Sequence, residues 1–337
     1  MANALRAPSS GLTLALLAFF LLPYASATPL LPAVYLYPRS AIIEKSAENG
    51  TIIVIDPTTH VPIPQSAPTD GSGTGFASSP PAIMWVAICF LFGFPLAVAG
   101  VRGWRLTTGA VFSIAFGVSS WAAFINSVST PGIPDLTLTI IVFGFMLGGF
   151  LLGLFPFVRI YAITLLGLAG GFAIGVRLPI LKENLLFTGT YSLNWIPATL
   201  LAVAGGIFVT LKQRAGILVG CASTGTFLLG LGVDLIVNKQ SGMSRGLRVL
   251  FDRNSSHLAD ILTKGYHPPA SSQIIIGVSL GLIPMLAYMQ HLFFPQPFNR
   301  NRPESVILMD EESSGTEKTR SSAFGMLQKP FASRFSL

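Results

Sequence analysis

Charge is what this sequence has least of. Only 10% of its 337 residues are Asp, Glu, Lys or Arg, against roughly 25% in soluble domains. So few polar side chains cannot cover a water-soluble globule of this length, and that class is excluded. Cysteine is nearly absent as well. Cys89 and Cys221 are the two in the chain, and both fall within apolar runs. This argues against a disulfide framework and a thiolate metal site and leaves them as small packing residues. The four histidines, His60, His257, His267 and His291, do not converge in sequence on a metal site. No HExxH, nucleophile elbow, phosphate loop or pair of facing acids occurs. The chain therefore reads as a non-enzyme without cofactor or metal. Its formal charge of +7 is scattered over short loops and tails rather than gathered into a nucleic-acid footprint.

What is abundant is hydrocarbon. Hydrophobic residues make up 51% of the chain and its mean hydropathy is +0.65, so the solvent it is built for, and its first partner, is a lipid bilayer. At the N-terminus, Arg6, the run 11-GLTLALLAFFLL-22 and the small triplet Ala25-Ser26-Ala27 have the order of a secretory signal peptide, with cleavage expected after Ala27. An uncleaved signal anchor is the alternative. Residues 28–81 are rich in Pro, Ser, Thr and Gly and read as a disordered lumenal leader. Within them, 51-TIIVID-56 has strand character but no evident partner run. Asn49-Gly50-Thr51 is a glycosylation sequon.

From residue 82, apolar runs alternate with short polar breaks. The pattern predicts an all-α, seven-helix transmembrane bundle with spans near 82–100, 106–125, 136–156, 160–180, 195–211, 215–237 and 273–293. The breaks 101-VRGWR-105, 157-FVR-159 and 212-KQR-214 carry bases and no acid. They are short enough to predict three tight antiparallel hairpins followed by a final helix. By the positive-inside rule these basic turns face the cytoplasm, with the N-terminus outside and the C-terminus inside. The 238–272 loop dissents. It would lie outside, yet it holds Lys239, Arg245, Arg248, Arg253 and Lys264. Its second sequon, Asn254-Ser255-Ser256, requires a lumenal face. Leu258, Ile261 and Leu262 predict a short helix there, on the outer membrane face or capping the bundle. Residues 294–337 read as a disordered cytoplasmic tail, through which protein partners could be held. Its 304-ESVILMDEESS-314 has the look of an acidic di-leucine signal.

Glycines recur four apart: Gly144 with Gly148, Gly149 with Gly153, Gly171 with Gly175, Gly216 with Gly220, and Gly277 with Gly281. Without a hydrophobic force between helices in lipid, small residues permit the close backbone approach that replaces it. The expectation is packing inside the bundle, with a dimer seam as the alternative. The arms 97-AVAGVRGWRLTTGAVF-112, 144-GFMLGGFLLG-153 and 230-GLGVD-234 resemble the domain shared by transmembrane protein 198 and seven-transmembrane superfamily member three, over residues 82–293. The resemblance implies a multi-pass membrane protein without an established enzymatic activity.

One acid interrupts the sixth span. Asp234 lies about 6 Å inside its expected outer end, and Arg177 sits at similar depth in the fourth span. Lone charges at that depth are costly, so an intramembrane ion pair Arg177–Asp234 is expected. Separate snorkelling of each to the headgroups is the alternative. An aspartyl protease is disfavoured, because Gly230-Leu231-Gly232-Val233-Asp234 has one residue too many for that family's motif and no second intramembrane acid faces it. The functional expectation is a receptor-like or scaffold membrane protein of unknown ligand. The alternative is a transporter or channel for a small neutral or lipid-like substrate. A hydrated central cavity would favour transport, and an apolar centre the scaffold.

Overall fold

The computed structural model describes residues 42–45, 52–56, 59–65, 79–127, 133–187 and 191–294. The expected signal peptide, Asn49 and the tail beyond Phe294 lie outside the described residues. In chain order the helices are α1 (Pro80–Ala99), α2 (Trp104–Ser127), α3 (Asp135–Gly153), α4 (Arg159–Leu181), α5 (Ile196–Leu211), α6 (Gln213–Asn238), α7 (Met243–Phe251), α8 (Leu258–Lys264) and α9 (Ala270–Phe293). Among the described residues, seven helical segments are long and apolar enough to cross a membrane. They match the seven expected runs. The shortest, α5, reaches spanning length only with the 3-10 turn Tyr191–Trp195 that precedes it. Proline opens α1 at Pro80, where no helical N–H partner is required. Pro95, Pro179 and Pro284 lie inside α1, α4 and α9.

The perimeter is greasy. Leu91, Leu147, Ile160, Leu200, Leu211 and Met285 are each at least 60% exposed, as a lipid-facing surface requires. The turns between α1 and α2, α3 and α4, and α5 and α6 are as short as expected. However, the helices that they join are not one another's main packing partners. The extensive contacts pair α2 with α3, α4 with α5 and α1 with α6, and α6 also packs on α4, α5 and α9. Small-residue faces decide this. A Cβ added at Gly171 would stand 1.9 Å from the Leu201 carbonyl of α5, and one at Gly153 would stand 2.5 Å from the Thr108 carbonyl of α2. One at Gly225 would stand 2.4 Å from the Ala97 nitrogen of α1. Only bare backbone allows such approach, so helices pair where glycine faces meet rather than where the chain turns back.

Part of the leader departs from the expectation of disorder. Strand β1 (Ile42–Lys45) pairs antiparallel with β2 (Ile52–Ile55), so the 51–56 stretch does have a partner. Gln65 then ties the segment to the far loop, donating to the Ser255 carbonyl at 3.1 Å and accepting from the Ala259 amide at 3.0 Å.

Candidate functional site

Asp234 is fully buried in the last two turns of α6. It accepts a hydrogen bond from the Met243 amide at 2.5 Å, another from Asn238 Nδ2 at 2.8 Å, and a third from the Ser272 hydroxyl. Met243 is the first residue of α7, whose N-terminal amides lack intrahelical partners. The carboxylate therefore caps α7 from another helix and meets the positive end of its dipole. Gly242 makes room for it, since a Cβ there would stand 2.2 Å from Asp234 Oδ2.

Arg177 is also fully buried, but it belongs to a different network. Its guanidinium donates to the Ala173 carbonyl at 3.3 Å, to the Ser223 carbonyl at 3.2 Å and to Thr226 Oγ1 at 3.0 Å, and it stacks over the Phe227 ring at 5.1 Å. Among the described residues no ion pair joins Arg177 to Asp234. The expected pair is corrected to two separate polar joints, α4 to α6 and α6 to α7. Neither charge snorkels. Each finds backbone and hydroxyl partners at its own level.

The short helix α7 was not foreseen. It is only nine residues long, and its own Ser244, Arg245, Gly246 and Arg248 keep it from registering as an apolar run. It shares a buried cluster with α4 and α9 through Met243, Leu250, Ile180 and Ile276. Beneath it lies an apolar chamber of about 170 Å³. Trp85 and Cys89 of α1, Trp121 of α2, Phe172 of α4 and Leu231 of α6 form walls, and Leu247 and Phe251 of α7 close the end away from the basic turns. Thr224 of α6, 3% exposed, also lines it, and its buried hydroxyl has no hydrogen-bond partner. The C-terminal end of α7 is held by Asn126, which donates to the Phe251 carbonyl at 3.1 Å, and by the Tyr191 hydroxyl on the Leu250 carbonyl.

The dissenting bases of the 238–272 loop are mostly engaged within this cap. Arg245 meets Asp260 at 3.4 Å, Arg248 meets buried Asp252 at 3.6 Å, and Lys264 meets Asp260 at 2.7 Å. Arg253 stacks over Tyr191 at 5.8 Å. His257 Nδ1 lies 2.9 Å from Asp252. Burial works to raise the Asp260 carboxyl, but the Lys264 hydrogen bond and the charges of Arg245, Lys264 and Arg248 outweigh it and hold the group below its ordinary value. Burial, and secondarily the charge of Asp234, push the Tyr266 phenol above its ordinary value. Its hydroxyl donates to the Ile180 carbonyl at 2.7 Å. The expected helix at 257–266 is α8, and its Ile261 joins the buried cluster shared by α4, α7 and α9.

Asn254 is half-buried. Its Oδ1 accepts from the Ser256 amide at 3.0 Å and its Nδ2 donates to the Ile125 carbonyl at 3.4 Å, so the sequon side chain is part of the cap's own bonding.

The five glycine pairs do not share one role. Gly149 and Gly153 both close on α2, against the Phe112 and Thr108 carbonyls. Gly171 and Gly175 both close on α5, where a Cβ at Gly175 would stand 2.5 Å from the Ala198 Cα. These two pairs are intramolecular joints, and the alternative of a dimer seam is corrected for Gly171 and Gly175 as for Gly149 and Gly153. The third pair splits. A Cβ at Gly216 would stand 2.4 Å from the Val209 Cα of α5, whereas one at Gly220 would stand 2.9 Å from the Leu166 carbonyl of α4. Gly216 and Gly220 both pack inside the bundle, but α6 contacts both α4 and α5, so each glycine meets a different neighbour. At Gly144, Gly148, Gly277 and Gly281 an added Cβ would meet nothing within 4 Å. The packing expectation is corrected for these four, which face outward because α3 and α9 lie at the perimeter. At the end with the basic turns, Arg105 and Arg159 flank the Trp104 ring at 5.3 and 5.1 Å, and Arg214 donates to the Phe294 carbonyl at 3.2 Å.

A family model described as the TM7S3/TM198-like domain matches residues 86–291. No curated protein and no solved structure matches the chain.

Proposed function

The chain belongs to the TM7S3/TM198-like domain family, and we propose that it is a non-enzymatic, receptor-like or scaffold protein of the membrane. The observation that carries this reading is the chemistry of the bundle's centre. The chamber is walled by aromatic and aliphatic side chains, and neither Arg177 nor Asp234 lines it. Ion or proton movement needs polar groups along a path. Here the two buried charges fasten helices to each other instead.

The orientation has the basic turns in the cytoplasm and the N-terminus outside. The Arg105–Trp104–Arg159 cluster supports it, with bases and an aromatic at one interface. At the other end Arg245, Arg248, Lys264 and Arg253 meet acids and a ring of their own cap. The test is reconstitution of the full chain in proteoliposomes loaded with a pH dye and a potassium indicator. The expected result is ion flux no greater than in protein-free vesicles. Protein-dependent flux that rises with protein density would overturn the reading in favour of a conduit.

A further inference from the structure

We propose that the chamber beneath α7 is a binding site for one small, neutral, ring-containing hydrophobe that carries a single hydrogen-bonding oxygen, of the class of phenols and monoterpenoid alcohols. The inference rests on the receptor-like reading above and gives that reading its ligand class.

Size sets the first limit. An apolar cavity of about 150 Å³ takes up benzene. A chamber of about 170 Å³ therefore admits one ring with small substituents. Wall chemistry sets the second. Trp85, Trp121, Phe172, Phe227 and Phe251 surround the space, and aromatic faces and edges suit another ring. Charge sets the third. With no titratable side chain other than the buried thiol of Cys89 on the wall, an ion entering it would lose its hydration without a partner.

Polarity sets the last limit. Buried hydroxyls are normally hydrogen-bonded, and a threonine in a helix can bond its own preceding turn. Thr226, on the same helix, does so, donating to the Ser223 carbonyl at 3.1 Å. Thr224 does not, although it is buried on the chamber wall. A ligand oxygen would complete it.

The test uses the full chain in lipid nanodiscs with two probes that differ by one hydroxyl, thymol and p-cymene. Binding of tritiated thymol is measured against empty nanodiscs, with p-cymene as competitor. One saturable site per chain is expected, with thymol bound more tightly than p-cymene. Thr224→Val keeps the shape and removes only an unpartnered hydroxyl, so it should fold as well as the parent. It should weaken thymol binding roughly threefold to tenfold, the worth of one hydrogen bond, and leave p-cymene unchanged. A diazirine derivative of thymol should label peptides of α1, α2, α3, α4, α6 or α7. Absence of saturable binding over empty nanodiscs, equal thymol affinity in Thr224→Val, or labelling confined to other segments overturns the proposal. Flux in the vesicle assay sinks the receptor-like reading instead, and the two failures are separately visible.

Discussion

Replacing Asp234 with alanine should open the chamber without dissolving the bundle. The carboxylate's partners are the Met243 amide at 2.5 Å, Asn238 Nδ2 at 2.8 Å and the Ser272 hydroxyl. Asn238 and Ser272 already bond each other at 3.0 Å, so they keep partners when the acid is gone. The Met243 amide does not. A hydrogen bond to a charged group contributes about 1.5–3 kcal/mol, and an orphaned buried donor costs about 1–3 kcal/mol. Allowing for relaxation, α7 should be destabilised by about 2–4 kcal/mol, which is roughly a 30- to 700-fold rise in the population of its displaced state. Cys89 provides the readout. It is 2% exposed on the chamber wall, whereas Cys221 is fully buried against Gly100, far from α7. Alkylation of each thiol by N-ethylmaleimide, followed by mass spectrometry, should show Cys89 reacting faster by that factor and Cys221 unchanged. Asp234→Asn retains one acceptor for Met243 and should raise the Cys89 rate less than about tenfold. If Asp234→Ala left Cys89 as protected as in the parent, the anchoring role would be refuted. Equal acceleration of both thiols would show that the acid secures the whole bundle rather than its cap.

Three further outcomes follow from the same geometry. Because Arg177 and Asp234 serve different joints, the double variant Arg177→Asp with Asp234→Arg should accumulate at the membrane no better than either single variant, measured by surface biotinylation. Gly171→Ala places a Cβ 1.9 Å from a carbonyl oxygen and should cost about 1–3 kcal/mol through overpacking, only partly offset by about 1 kcal/mol of helix propensity. Gly148→Ala, with nothing within 4 Å, should not lower the thermal unfolding midpoint in detergent. The Tyr266 phenol is raised in the folded state, so its contribution is fully present below its unfolded value of about 10 and declines as pH climbs beyond it. Melting of the cap followed from pH 8 to 11 should show that decline, and Tyr266→Phe should abolish it while costing about 1 kcal/mol through the lost Ile180 bond.

The seven spans were legible because crossing hydrocarbon demands long uncharged runs, and a run of that length is readable without any tertiary contact. The basic turns and the glycine-bearing arms were equally plain. Asp234 was visible as an anomaly for the same reason: a lone acid in an apolar run has no local explanation. Its partner was not visible. Equal depth along two helices says nothing about which faces meet, and the faces were set by Gly171, Gly153 and Gly225 closing on carbonyls and backbone of particular neighbours. Those closures paired α2 with α3, α4 with α5 and α1 with α6, turned Arg177 toward Ser223 and Thr226, and left Asp234 to receive α7. The glycine pairs illustrate the same division. Their spacing is identical in the sequence, yet Gly171 and Gly175 pack tight on one helix, Gly216 and Gly220 divide between two, and Gly277 and Gly281 open outward. Local pattern, a matter of transfer free energy along one helix, thus established the membrane and the number of crossings. The chamber, its hydroxyl and its short helical cover exist only where six helices from distant parts of the chain converge. Packing at backbone distance, which no single segment encodes, created them.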